Sequence, residues 1–211
     1  MISIDAADPD NSTRDRLAQA ILGHAAFDGW TQAAIALAAR ELALAPGEAE
    51  RLFPGGAMAV IDWIDRRATQ RMEQALAATD LGALRIRERV ALAVKLRLEP
   101  LTPYREGLRR AAALMATPLN AGRGAAALWR TVDAIWHALG DSSTDFNYYT
   151  KRALLAGVYG STVLVWFDDK SEACADTWAF LARRVDNVMQ IEKLKGQLRR
   201  IVQRGRMAAA P

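Results

Sequence analysis

Apolar residues recur every three or four positions along almost the whole chain, which is the spacing of α-helices buried on one side. Leu17, Ile21 and Leu22, then Ala25, Ala26 and Phe27, line the first helix. Ser12 is placed to cap it, with Asp15 in the reciprocal position of a capping box, and Asp28-Gly29 ends it. A second helix over Gln32 to Leu44 carries Ile35, Ala38, Ala39 and Leu42, and Pro46 suits the first position of a short third helix closed by Leu52-Phe53-Pro54-Gly55. A long fourth helix runs from about Gly56 to Ala78 with Met58, Ile61, Ile64, Met72 and Leu76 inward. Leu84 to Leu98 makes a fifth, Thr102-Pro103 opens a sixth, and Asn120 caps a seventh through Leu128, Val132, Ile135 and Leu139. An eighth starts at Thr144 or Asp145 and runs to near Phe167. Asp168-Asp169-Lys170 breaks it, because acids are unfavourable at a helix C-terminus. Ser171 caps a ninth helix with Ala175, Trp178, Leu181 and Val185. No segment alternates with the period of a strand, so the expected fold class is all-α.

The composition agrees with this pattern. With 211 residues, 51% of them apolar, the chain can bury one good core and a small satellite. Its one cysteine, Cys174, sits in an apolar helical run, which implies a buried, inert thiol and a reducing compartment. The start, with Asp5, Asp8 and Asp10, has neither the apolar core of a secretory signal nor the basic character of a transit peptide. The longest apolar stretch, Leu154 to Phe167, is too short to span a bilayer and fits a buried core helix. Contact with lipid is therefore expected to be peripheral.

Charge singles out the C-terminal end. The net charge is only +4, yet Lys193, Lys195, Arg199, Arg200, Arg204 and Arg206 stand there against the single acid Glu192. An apolar stripe of Val188, Ile191, Leu194, Leu198, Ile201 and Val202 accompanies them. On a helical wheel this stripe spans about 100°. Lys195 and Arg199 flank it, placed to snorkel to headgroups. Ile191, Leu194, Lys195, Leu198, Arg199, Ile201 and Val202 are accordingly the expected membrane-contacting residues. The rival use of the stripe is packing on the body or on the same helix of a second subunit.

Three short helices followed by a long one resemble the head of the TetR-type transcription regulators, with Asp28-Gly29-Trp30-Thr31 and Leu52-Phe53-Pro54 as landmarks. In such a head the third helix enters the major groove. Here the span from Trp30 to Phe53 holds Arg40 and Arg51 against Glu41, Glu48 and Glu50. Phosphate contacts need cations, so DNA binding is not expected. No catalytic motif is present: no GxSxG elbow, no phosphate-binding glycine loop and no dinucleotide fingerprint. The two histidines, His24 and His137, have no metal-ligand spacing around them, so no metal, no cofactor and no catalytic residues are expected.

The most unusual segment is GDSSTDFNYYTKR, Gly140 to Arg152, which mixes aromatic residues with charges as interaction hot spots do. Tyr148 and Arg152 lie four apart on one helical face, and Gly157 and Gly160 leave room for a neighbouring helix or a bound chain.

GDSSTDFNYYTKRALLAGVYGSTVLVWFDD, TWAFLARRVDNVM and FPGGAMAVIDWI closely resemble the ubiquinone-biosynthesis accessory proteins, the ninth of the eukaryotic Coq proteins, in a bacterial-type member. The resemblance covers roughly residues 13 to 204. It implies a TetR-like helical fold, a homodimer, and a non-enzymatic protein that binds isoprenoid quinone precursors or phospholipid. It also implies assistance to the demethoxyubiquinone hydroxylase and a cytoplasmic protein resting on the anionic inner membrane. Carried over by position, the partner-binding patch is Asp145, Asn147, Tyr148, Tyr149, Thr150 and Arg152; Tyr148 stands where the animal proteins have tryptophan. The residues expected to bind lipid are Leu155, Gly157, Tyr159, Gly160, Val163 and Trp166. The expected organisation is a flexible 1–12, a helix-turn-helix-like 13–54, a lipid-binding core 55–187, the amphipathic helix 188–204 and a flexible 205–211. The alternative function is a ligand-responsive, DNA-binding TetR-type regulator.

Overall fold

The computed structural model describes residues 9–142, 144 and 146–188. These form α1 (Pro9–Asp28), α2 (Gln32–Glu41), α3 (Glu48–Leu52), α4 (Gly56–Ala77) and α5 (Ile86–Leu98). After a 3₁₀ turn at Glu99–Tyr104 come α6 (Arg105–Met115), α7 (Ala121–Ala138) and α8 (Phe146–Asp168). A second 3₁₀ turn, Glu172–Cys174, leads into α9, described over 175–188. No strand occurs among the described residues. The basic tail expected at 188–204 lies, beyond Val188, outside them, as does Asp145.

The helix starts differ from expectation in instructive ways. Helix α1 begins at Pro9, ahead of Ser12, because proline is tolerated where no intrahelical N–H is needed. Residues 9–12 are therefore helical rather than part of a flexible arm. Pro46 does not open α3; Gly47, with φ +80°, is its N-cap, and the Glu48 carboxylate turns back to accept from Ala45 N at 3.2 Å. Thr102-Pro103 sits in the 3₁₀ turn, and α6 starts only at Arg105. Asn120 does not cap α7 with its side chain; its amide donates to the Leu114 carbonyl at 3.2 Å.

Two apolar clusters share α4. One joins Leu17, Ile21, Ile35, Leu52, Phe53 and Val60 in the head formed by α1 to α3. The other joins Met72, Leu76, Val94, Leu98, Ile135 and Trp166 in the body. Each such buried side chain contributes about 1.5–3 kcal/mol. Helix α6 ties head to body. A Cβ at Gly107 would stand 2.6 Å from the Leu22 carbonyl oxygen, so only glycine lets α6 approach α1 this closely. The same Gly107 carbonyl accepts from Trp30 Nε1 at 2.9 Å.

The end of α8 is held by α6 and α9. Arg105 donates to the Trp166 carbonyl at 3.0 Å and to the Asp169 carbonyl, while Arg109 donates to the Phe167 carbonyl. These cations complement the negative end of the α8 dipole. Ser171 caps α9 as expected, its Oγ accepting from Asp176 N at 3.0 Å, and Asp169 adds a second cap: its carboxylate accepts from the backbone N–H of Ser171 and Thr177 and from both hydroxyls. The bonds to Asp169 outweigh the burial that would raise its pKa and hold it at about 2.

Candidate functional site

Helix α8 has three faces. At about 100° per residue, Lys151, Leu154 and Val158 lie on one flank of its buried side and Tyr159, Val163 and Trp166 on the other. Gly157, Gly160 and Leu164 lie opposite. Leu164 is 66% exposed, and no atom comes within 4 Å of where a Cβ would stand on either glycine. The expectation of a buried core helix therefore describes two flanks of α8, and the third faces outward.

The first flank borders a cavity of about 400 Å³ between α5, α7, α8 and α9. Val90, Leu139, Leu154, Val158, Val185 and Val188 give the lining its apolar part, and Asp141, Asn147, Thr150 and Lys151 its polar part.

Beside the polar part of this lining, α7 and α8 are locked by a charge network. Arg152 donates to Asp133 at 2.6 Å and to Asp141 at 3.2 Å, and Lys151 donates to Asp141 at 2.6 Å. The Arg152 guanidinium lies 3.4 Å from the Tyr148 ring centre, and the Tyr148 hydroxyl donates to Asp133 at 3.0 Å. Burial alone would lower the Arg152 pKa, but its bonds to Asp133 and Asp141 outweigh burial and raise it. The hydrogen bond to Asp133 likewise raises the Tyr148 hydroxyl. The guanidinium is thus fixed as a cation, and the i, i+4 pairing of Tyr148 with Arg152 is a stacked contact.

The structure sorts the residues of the expected patch. Asn147 and Tyr149 are exposed, Tyr148 and Thr150 are half-buried, and Arg152 is only 3% exposed. Arg152 is therefore not a surface contact but the buried cation that positions Tyr148. One aromatic was missed. Trp129 of α7 is 37% exposed and stacks on Tyr149, with ring centres 6.4 Å apart. The signal was present: Trp129, Asp133 and Trp136 recur at helical spacing and all face the Tyr148–Arg152 segment.

The residues expected to bind lipid divide. Leu155 lines the cavity just described. Tyr159, Val163 and Trp166 line a second cavity of about 210 Å³ on the other flank, between α4, α5, α6, α7 and α8. Gly157 and Gly160 line neither. Among the described residues neither a neighbouring helix nor a cavity lies against these two glycines, so neither use expected of them is seen there.

Other expected features resolve locally. His24 is 2.9 Å from Glu41 on the surface. Among the described residues no group of three or more His, Cys, Asp or Glu side chains could hold a metal ion. Helix α3 offers Glu48 and Glu50, and its Arg51 is held by Asp10 at 2.7 Å. No described helix is long and apolar enough to cross a membrane.

Comparison with known proteins returns the COQ9 family, whose model matches residues 121–192, the segment that builds α7, α8 and α9. The chain is 34% identical over 188 residues to human ubiquinone biosynthesis protein COQ9, mitochondrial, covering 86% of this chain and 59% of that protein. It is 33% identical over 191 residues to the Drosophila melanogaster protein of the same name, covering 89% and 58%. A probable ubiquinone biosynthesis protein coq9 of Dictyostelium discoideum is 36% identical over 122 residues, covering 58% and 40%. The chain thus spans about three fifths or less of these relatives. Among solved structures, a TetR transcriptional regulator from Nitrosomonas europaea superposes with a TM-score of 0.71 at 22% identity, covering 83% of this chain and 97% of that one. The all-α architecture is thus TetR-like, and in sequence the chain is similar to the COQ9 family model over residues 121–192 and to COQ9 proteins over most of its own length.

Proposed function

We propose that this chain is a non-enzymatic accessory protein of ubiquinone biosynthesis that holds an isoprenoid quinone precursor and offers its ring to the demethoxyubiquinone hydroxylase. The observation that carries the proposal is the cavity of about 400 Å³ beside α8, whose mainly apolar lining also holds Asp141, Asn147, Thr150 and Lys151. Burying an isoprenoid tail gains about 0.8 kcal/mol per CH₂-sized unit, and the lining supplies the required apolar surface. The polar ring would remain at these polar residues, next to the Trp129–Tyr148–Tyr149 cluster, which is the proposed contact for the hydroxylase. Asp145, in the same proposed patch, lies outside the described residues. The basic amphipathic segment through Ile191, Leu194, Leu198, Ile201 and Val202 is proposed to rest on an anionic membrane, where each basic residue contributes about 1 kcal/mol. We further propose a homodimer, with the exposed Gly157–Leu164 face of α8 as a candidate contact.

The TetR-like fold keeps a DNA-binding reading in view. The charge of α3 opposes it: two glutamates and an arginine already paired with Asp10 leave little to meet phosphate.

Purified protein from cells that make polyprenylated quinones, extracted into organic solvent and analysed by mass spectrometry, tests the proposal. A co-purifying species with a polyprenyl tail and an aromatic head is expected. Recovery of no isoprenoid-tailed or phospholipid species, with none bound on addition, would rule the proposal out.

A further inference from the structure

An apolar tip joins α6 to α7. Leu119 there is 91% exposed, more than any other large hydrophobic residue described. Ala116, Pro118, Ala121 and Gly122 around it are exposed as well. No Asp or Glu occurs from Gly107 to Val132, whereas the α4–α5 turn carries Asp80 and the α8–α9 turn Asp169. Within that acid-free span Arg109, Arg110 and Arg130 pair with Asp168, Glu106 and Asp62. Arg123, in the first turn of α7 beside the tip, is exposed and has no carboxylate partner among the described residues.

The tip is also stiff. The Leu114 carbonyl accepts from the Thr117 hydroxyl at 2.8 Å and from the Asn120 amide at 3.2 Å. The Thr117 carbonyl accepts from the backbone N–H of Asn120 at 2.9 Å and of Ala121 at 2.8 Å. A Cβ at Gly124 would stand 3.0 Å from the Met115 carbonyl oxygen, so α6 and α7 close tightly at the base of the turn. The backbone that carries Leu119 therefore has little freedom left to lose.

We infer that this tip is a second membrane contact, with Leu119 entering the boundary between headgroups and acyl chains of an anionic bilayer and Arg123 meeting lipid phosphate beside it. A lone exposed leucine carries no such meaning. Here it stands on a rigid turn, among small uncharged residues, in a span without acids. A stable protein partner covers about 800 Å² of each surface, which one large side chain on a convex turn does not supply. A bilayer needs no complementary shape. Backbone groups already bonded to one another enter its boundary without leaving donors or acceptors empty, and an acid-free span meets anionic headgroups without repulsion.

The inference rests on the membrane association proposed above, but not on the segment assigned to it. One leucine and one cation bind weakly alone. Joined to the C-terminal segment they act at high effective concentration and set which end of the molecule meets the lipid. The test uses the full chain and mixed phosphatidylcholine–phosphatidylglycerol vesicles. Leu119→Asp should weaken co-sedimentation about tenfold, the equivalent of one leucine withdrawn from lipid. Arg123→Gln should weaken it about fivefold. An environment-sensitive fluorophore on Leu119→Cys should shift to the blue with vesicles and be quenched by lipids brominated in their acyl chains. The label reads the contact independently of both variants. Binding of Leu119→Asp equal to that of the unaltered chain, while Leu194→Asp with Leu198→Asp releases it, would overturn this inference and leave the C-terminal contact standing. Release of Leu119→Asp with retention of the C-terminal variant would do the reverse. A label that stays in water on sedimented protein, or a Leu119→Asp variant that changes the mass of the assembly and not its vesicle binding, would also overturn the inference.

Discussion

Arg152 and Asp169 show how single side chains set the geometry of the site. Arg152 is a buried cation between two carboxylates and under an aromatic ring. Arg152→Met would remove a cation from Asp133 and from Asp141, the latter itself nearly buried. The expected loss is about 3–5 kcal/mol of unfolding free energy in urea titrations. A loss under 1 kcal/mol would mean the network is not what joins α7 to α8. Asp169 makes a pH prediction. Its folded pKa of about 2 is below the ordinary 3.8, so its stabilisation is complete above the ordinary value and disappears as pH falls through about 2. With a discount for solvent screening at a helix end, the effect is about 1–2 kcal/mol. Asp169→Asn should therefore flatten the dependence of the urea midpoint on pH between about 4 and 2. An unchanged acid slope would show that another group carries it. The i, i+4 pair of Tyr148 and Arg152 was legible in the sequence. The burial of Arg152 was not, because its partner Asp133 comes from another helix and nothing in the local segment marks it.

Elements were legible where their own periodicity decided them, and their ends were legible only where a local cap decided them. The body of α4 and the break at Asp168 agree with the pattern, since apolar spacing and dipole-disfavoured acids act within one helix. The starts of α1, α3 and α6 differ because prolines and glycines there satisfy several turn geometries, and packing selects among them. The two glycine environments can be separated by substitution. Gly107→Ala should lower stability by about 1–3 kcal/mol, because its Cβ meets the backbone of Leu22 and α1 must move. Gly157→Ala, in open space on α8, should raise it by about 0.5–1 kcal/mol through helix propensity. Thermal melts of both variants check the contrast; a lower Tm for Gly157→Ala would mean that a second chain occupies that face. For the C-terminal segment, Leu194→Asp with Leu198→Asp should abolish sedimentation with anionic liposomes and leave the far-UV spectrum of the body intact. Glutamate at Arg199, Arg200 and Arg204 should weaken binding mainly to anionic vesicles. Near-full sedimentation of the double aspartate variant would place the membrane contact elsewhere.

At the scale of the molecule, a TetR-like frame carries two cavities on the two flanks of one helix. The head keeps the helical shape, its α3 carries Glu48 and Glu50 beside Arg51, and α6 clamps it to the body through Gly107 and Trp30. The all-α class was readable from composition and period alone. The division of α8 between two cavities was not, since it depends on which neighbour each flank meets. The central claim is that the larger cavity holds an isoprenoid chain. Its most direct test is to fill that cavity: Val158→Trp should occlude the space between α7, α8 and α9 while leaving the polar part of the lining and the aromatic cluster in place. Quantitative mass spectrometry of lipid co-purifying with this folded variant, beside the unaltered protein, should show the isoprenoid species reduced at least tenfold. Retention of that species at undiminished stoichiometry would contradict the account.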